Sequence, residues 1–283
     1  MRWMTARFGI DLSRPRVMGI VNLTPDSFSD GGRCFEALQA LHHAEQLLRE
    51  GADILDIGAE SSRPGAAPVP EDVEWARLKP VLRELRNWGV PISVDTSKPS
   101  VMARSLAHGA DAINDIQALQ APGALDALKS HPRAGVCLMH MRGDATSMQL
   151  LATYTDVLGE VRGFLANRVA ALSAAGIESE RLCLDPGFGF AKNPQQNLEL
   201  GRRLNELRSL GLPLLVGWSR KSTLGWVTGQ AVDQRLPASL AAGLAALQQG
   251  ASILRVHDVA ASFDAMSTWL ALQPAAGQCG ACP

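Results

Sequence analysis

Residues 91–116 read PISVDTSKPSVMARSLAHGADAINDI, and the rest of the chain repeats what they contain. A short apolar run, 92–96, ends on Asp95 and Thr96. After Ser97 and Lys98, Pro99 suits the first turn of a helix, where its missing N–H has no partner to lose. The helical stretch 99–108 stops at Gly109, the residue that most easily takes the left-handed position after a helix. Gly109-Ala110-Asp111 then leads straight into a second apolar run, 112–116.

The same stop recurs as Gly51-Ala52-Asp53 and Gly250-Ala251-Ser252. Working outward, the apolar runs are 17–22, 54–60, 92–96, 112–116, 135–140, 182–186, 214–219 and 253–257, with helical stretches such as 35–50, 99–108 and 237–249 between them. Each run is apolar almost throughout, as a parallel strand covered on both faces must be. The pattern predicts an α/β fold, a (β/α)8 TIM barrel of eight parallel strands surrounded by helices. No linker or composition shift divides it. The expected organisation is one domain over 1–283, with a core at 15–272, a short N-terminal lead and a flexible C-terminal tail.

Bulk properties narrow the function classes. The 283 residues are 46% hydrophobic, enough apolar material for one such barrel. Formal charge is −1 and no run of like charges appears, so nucleic-acid and membrane partners are not expected. No signal-like or membrane-length apolar segment is present, which makes the cytoplasm the expected compartment. Cys34, Cys137 and Cys183 are scattered and read as reduced thiols. Cys279 and Cys282 form a C-x-x-C pair that a metal or redox centre could use, but without a second pair they read as part of a frayed tail.

The apolar part of every run gives way to a polar residue: Asn22, Glu60, Asp95, Asn114, His140, Asp185, then Ser219-Arg220-Lys221, then Arg255 and His257. In a β/α barrel these ends converge on one mouth, where the chemistry of the fold is placed. Asp95, Asn114 and Asp185 supply acceptors and an amide, whereas the late strands supply Lys221, Arg255 and His257. Arg255 and His257 are two apart and share a face. Carboxylates suit a ring with an amidine-like N–H edge, and late-strand cations suit a phosphate. The charges therefore read as a site for a phosphorylated, nitrogen-rich heterocycle, or alternatively as buried salt bridges such as Asp185 with Lys221.

Seven ordered blocks sharpen this: MGIVNLTPDSFSDGG (18–32), LDIGAESSRPGA (55–66), PISVDTSKP (91–99), AINDI (112–116), DPGFGFAKN (185–193), GWSRKS (217–222) and RVHD (255–258). With them the chain resembles the dihydropteroate synthase family of the pterin-binding barrels, from about residue 17 to about 259. The resemblance implies condensation of 6-hydroxymethyl-7,8-dihydropterin diphosphate with p-aminobenzoate to 7,8-dihydropteroate and diphosphate. It assigns the pterin to Asp95, Asn114, Asp185, Lys221 and Arg255, and the diphosphate to Asn22, Ser62, Arg63, Arg255 and His257. The aminobenzoate falls to Phe28, Pro64, Phe190, Lys221 and Ser222, and Mg2+ to Asn22. Asp95, Asp185, Lys221, Arg255 and the loop residue Asp30 are the catalytic set.

The implied transfer is dissociative and SN1-like, assisted by Mg2+, with loops 23–32 and 61–70 closing over the cation. Alanine at Arg255 or Asp185 is expected to abolish turnover and leave the fold intact. Ala59 and Ala191 stand where the family often has glycine, and Ser62 where it has threonine. No extra Phe-Gly insertion follows Phe190, so inhibition by sulfonamides is expected. A homodimer through the barrel helices is implied as well. A methyltetrahydrofolate-dependent methyltransferase would not need Arg63, the RKS block or the Arg255/His257 pair. A non-catalytic pterin-binding relative would be expected to lose the intact loop blocks.

Overall fold

In the computed structural model, which describes residues 1–23, 33–61, 65–144 and 147–273, the chain opens with two short strands, β1 (Arg2–Met4) and β2 (Gly9–Asp11). The eight apolar runs follow as β3 (Arg16–Asn22), β4 (Ile54–Gly58), β5 (Ile92–Asp95), β6 (Ala112–Asp115), β7 (Gly135–Met139), β8 (Leu182–Asp185), β9 (Leu215–Val216) and β10 (Ile253–Val256). All neighbours in the order β8-β7-β6-β5-β4-β3-β10-β9 are parallel, except that β8 and β9 meet through a single parallel bridge, Leu184 to Leu214. That bridge closes the ring. The helices are α1 (Arg33–Arg49), α2 (Glu71–Leu85), α3 (Pro99–Ala107), α4 (Ala124–Lys129), α5 (Val157–Ala174), α6 (Pro194–Arg202), α7 (Ser222–Thr228), α8 (Leu236–Gln248) and α9 (Val259–Ala271).

Alternation along each strand explains why the runs are apolar throughout. Val17, Leu55, Val94, Leu138, Leu184 and Val216 lie in the layer between strands and helices. Their neighbours Met18, Ile54, Ala112, Cys137, Cys183, Leu215 and Ile253 instead fill the lower barrel, together with Trp3 and Ile10. Cys137 and Cys183 are free thiols buried in that plug, as the scattered spacing suggested.

The glycine stops behave as expected. Gly51, Gly109 and Gly250 have φ of 103°, 105° and 97°. In each case the next N–H reaches back five residues, Ala52 to Leu47, Ala110 to Ser105 and Ala251 to Ala246, at 2.9, 3.0 and 2.9 Å. This is the bond that closes a Schellman motif. The aspartates after the first two stops then cap the neighbouring strand: Asp53 accepts from the Val17 N–H and Asp111 from the Ile92 N–H, at 2.9 and 2.8 Å.

The N-terminal lead is the main departure from the expected core of 15–272. β1 and β2 pair as an antiparallel hairpin under the barrel floor. Trp3 is fully buried there, and its Nε1 donates to the Arg181 carbonyl at 3.0 Å. Arg7 fastens the hairpin to Asp111 at 2.6 Å. Two strands of three residues carry too little periodicity to be read from sequence. Among the described residues no helix is long and apolar enough to cross a membrane.

Candidate active site

Above the apolar plug the inward positions turn polar. Asp56 on β4, Asp95 ending β5, Asn114 on β6, Asp185 ending β8 and Arg255 on β10 line the upper barrel, with Asp95 in register between Gly58 and Asn114. Arg255 crosses the mouth. Its Nε donates to Asp56 Oδ2 at 2.6 Å and its Nη2 to Asp95 Oδ2 at 2.7 Å. Asn114 Nδ2 donates to the same Asp56 oxygen at 3.1 Å. The second Asp56 oxygen is buried without a protein partner. Asp185 Oδ1 accepts the Gly187 N–H at 2.7 Å.

Asp56 was not among the expected site residues, although its signal was visible: a carboxylate inside an otherwise apolar run, two positions after the inward Ile54. Reading only strand ends passes over it. Charge inside a buried strand is expensive unless paired, and here the partner comes from the far side of the barrel.

Burial dominates the electrostatics. It raises the Asp95 carboxyl to about 7, with Arg255 opposing and the charges of Asp56, Glu74 and Asp115 reinforcing. Burial raises Asp185 too, against the Gly187 N–H and the positive charges of Lys221, Arg255 and Lys192. For Arg255 burial acts the other way, but Asp56 and Asp95 outweigh it and hold the guanidinium charged. The anion of Asp95 is the form lost as pH falls through about 7. Turnover that needs this anion should show an acid limb near that pH, and kcat/KM measured from pH 5.5 to 8.5 checks it. An acid limb at the ordinary carboxylate value near 4 would refute the assignment.

The late-strand cations divide differently from the expectation. His257 is pushed down to about 3 by burial and by Arg255 and Arg220, so its ring is neutral. It sits 2.9 Å from Ser219 Oγ through Nδ1. Arg220 turns outward to Asp258, with Nε 3.0 Å from Oδ2. Lys221 lies over the Phe190 ring, its Nζ 4.1 Å from the centroid. Buried salt bridges are present at the mouth, formed by Arg255 with Asp56 and Asp95, and the Lys221 charge acts on Asp185.

Two strand-end residues leave the ring. Glu60 pairs with Lys98, which also reaches the buried Glu74 at 2.5 Å. His140 is buried and faces Lys192, with Nδ1 and Nζ 3.0 Å apart. Ala191, where the family often has glycine, takes φ of 48°. Asn22 is half-buried at the end of β3, Phe190 half-buried beside Lys221, and Ser222 exposed at the start of α7. Phe28, Asp30, Ser62, Arg63 and Pro64 lie outside the described residues, as do Cys279 and Cys282.

Among the described residues no group of three or more His, Cys, Asp or Glu is arranged to hold a metal. Asn22 offers one hard amide oxygen. That fits Mg2+, which keeps several waters and is usually bound through one or two protein oxygens plus substrate phosphates.

Acceptors ringing the carboxyl-end mouth of the barrel, spanned by the Arg255 guanidinium, have the position and character of a (β/α)8 active site. The family model described as pterin binding enzyme matches residues 18–257. The dihydropteroate synthase of Neisseria meningitidis serogroup B is 53% identical over 276 residues, 95% of this chain and 97% of that one. The dihydropteroate synthase of Xanthomonas albilineans, solved with 4-aminobenzoic acid, superposes with a TM-score of 0.91 at 49% identity, covering 96% of this chain and 98% of its own. That of Burkholderia cenocepacia, complexed with 7,8-dihydropteroate, gives 0.88 at 47% identity and 96% coverage of both chains. The chain belongs to the pterin binding enzyme family, and within it to the transferases of the dihydropteroate synthase branch.

Proposed function

We propose that the protein condenses 6-hydroxymethyl-7,8-dihydropterin diphosphate with p-aminobenzoate, releasing 7,8-dihydropteroate and diphosphate. The observation that carries this reading is the Asp56–Arg255–Asp95 network flanked by Asn114 and Asp185. It lines a barrel mouth with acceptors for an amidine-like ring edge. Asp95, Asn114 and Asp185 bind the pterin, Lys221 reaches it from above Phe190, and Arg255 forms the floor.

The difficult step is cleavage of the C–O bond to diphosphate, which spreads positive charge over the dihydropterin. Preformed carboxylates at Asp95 and Asp185 would stabilise that charge. The aniline attacks as the free amine, so no general base is required; its proton leaves afterwards. Asn22 would hold Mg2+, which supplies charge neutralisation for the departing diphosphate. Ser62 and Arg63 are proposed to bind the diphosphate beside Arg255. His257, neutral in the free site, would gain a proton as the diphosphate arrives, because a nearby anion favours the charged ring. Phe28, Pro64, Phe190 and Ser222 would surround the aminobenzoate, and Asp30 would follow the metal or the cation. Closure of the loops 23–32 and 61–70 would keep water from the cation.

Two copies are proposed to associate. The proposed interface runs through the barrel helices, among which α7 carries Trp226 and Val227 at 57 and 54% exposure.

The decisive assay follows diphosphate release with and without p-aminobenzoate and identifies the organic product. A pterin–aminobenzoate adduct supports the reading, and release that yields none refutes it. Sulfonamides, which keep the aniline ring and replace its carboxylate, should inhibit competitively against p-aminobenzoate. Inhibition that stays absent at concentrations far above the aminobenzoate KM contradicts the proposed subsite.

A further inference from the structure

Lys192 is 3% exposed, and the chemistry described above does not use it. An ammonium has three N–H donors and no acceptor. Here all three find partners: Nζ lies 3.0 Å from His140 Nδ1, 2.9 Å from the Gly187 carbonyl and 3.0 Å from the Phe190 carbonyl. The first partner directly follows β7, and the other two are the ends of the four-residue turn that follows β8.

That turn is packed too closely to shift freely. Gly187 has φ of 71°, and a Cβ there would stand 2.1 Å from the His140 carbonyl. The Gly189 N–H donates to Asn197 Oδ1 at 2.8 Å, and Asn197 Nδ2 reaches the Lys192 carbonyl at 3.1 Å and Thr223 Oγ1 at 3.1 Å. Asp185 holds the entry to the turn through the Gly187 N–H. Lys192 is the one side chain among these that grips both Gly187 and Phe190.

The geometry points to Lys192 as the positioning residue of the aminobenzoate subsite, its ammonium tying His140, Gly187 and Phe190 into a frame that fixes the Phe190 ring beneath Lys221. This rests on the proposed placing of p-aminobenzoate against Phe190 and Lys221.

The protonation states agree with that frame. Burial, with the charges of Lys192 and Arg142, takes His140 down to about 2, so the ring is neutral and its Nδ1 accepts while Nε2 carries the proton. Burial also lowers Lys192 to about 7, with Asp185 opposing and Lys221 and Arg142 assisting. Loss of that proton keeps the frame, because His140 can move its ring hydrogen to Nδ1 and donate to the amine.

The test is Lys192→Met, which keeps the apolar stem and removes the ammonium. KM for p-aminobenzoate should rise about tenfold, the factor that ~1.4 kcal/mol of lost binding produces. KM for the pterin diphosphate and kcat should stay within about threefold on the same scale. In the same variant the His140 ring, followed by NMR titration, should titrate at a higher pH than in the wild type, because a nearby positive charge is gone. His140→Phe, which removes one acceptor and keeps a ring against Phe164, should raise the aminobenzoate KM in the same direction by a smaller factor, and it serves if Lys192→Met does not fold. An aminobenzoate KM within twofold of wild type in both variants, or an equal rise for both substrates, overturns the proposal. A wild type that forms no aminobenzoate adduct would instead overturn the functional reading beneath it.

Discussion

Arg255→Ala should lower kcat/KM about 10³-fold, the upper range for removing one preformed electrostatic contact, and should also cost the fold about 3–5 kcal/mol, the range for breaking a buried ion pair from one side. The second half revises the expectation of an intact fold. Arg255 is the counter-ion of Asp56, whose side chain is fully buried, and of Asp95, which is 14% exposed. Its removal leaves two carboxylates facing each other with, among the described residues, Asn114 as the remaining side-chain donor to Asp56. They escape by taking up a proton, which is also the state least able to stabilise a cationic dihydropterin. Asp56→Asn separates the two effects: it keeps a polar group beside Arg255 Nε and removes one charge. That variant should retain most of the stability, and its acid limb should move to lower pH, because the Asp56 charge is one of those raising Asp95. A double-mutant cycle across Asp56→Ala and Arg255→Ala should be strongly non-additive, with the double variant more stable than the summed losses. Chemical denaturation and pH-dependent kinetics read both quantities. An Arg255→Ala protein as stable as wild type would show that the pair contributes nothing to the fold.

Trp3→Ala should destabilise the protein by about 3–5 kcal/mol, the usual cost of truncating a buried aromatic. At about 2–4 °C per kcal/mol for a chain of this class, the melting temperature should drop by roughly 10 °C. Trp3 fills the barrel floor with Met18, Ile54, Cys137 and Cys183, and its indole N–H satisfies the Arg181 carbonyl. Alanine empties the floor and strands that carbonyl. The active-site residues lie at the opposite end of the barrel, so kcat at low temperature should be nearly unchanged. Calorimetry beside activity at 15 °C separates the two. A loss under about 1 kcal/mol would place the hairpin outside the cooperative core.

These two cases mark where sequence reading succeeds and where it stops. The strand count, the parallel order and the glycine stops were legible because each is a local rule: a doubly covered strand is apolar, and a helix turning directly into a strand needs a left-handed residue. The position of Asp95, Asn114, Asp185 and Arg255 at the mouth was legible because a barrel converts position along a strand into position at the mouth. Glu60 and His140 obeyed the same positional rule but were diverted to Lys98 and Lys192, partners from distant segments. The neutral state of His257 follows from burial near Arg255 and Arg220, which spacing along the chain does not convey.

The sequence alone determined the class of fold, the residues able to reach the mouth, and the family to which the ordered blocks point. Only the tertiary structure decided which charges meet. It matched Asp56 with Arg255 across 199 residues, set Trp3 under a barrel whose last strand begins at Ile253, and hung the Gly187–Phe190 turn on one buried ammonium. Local periodicity records whether a residue is buried. Its partner in a closed barrel depends on register around the ring, and that exists only when the first strand and the last have met.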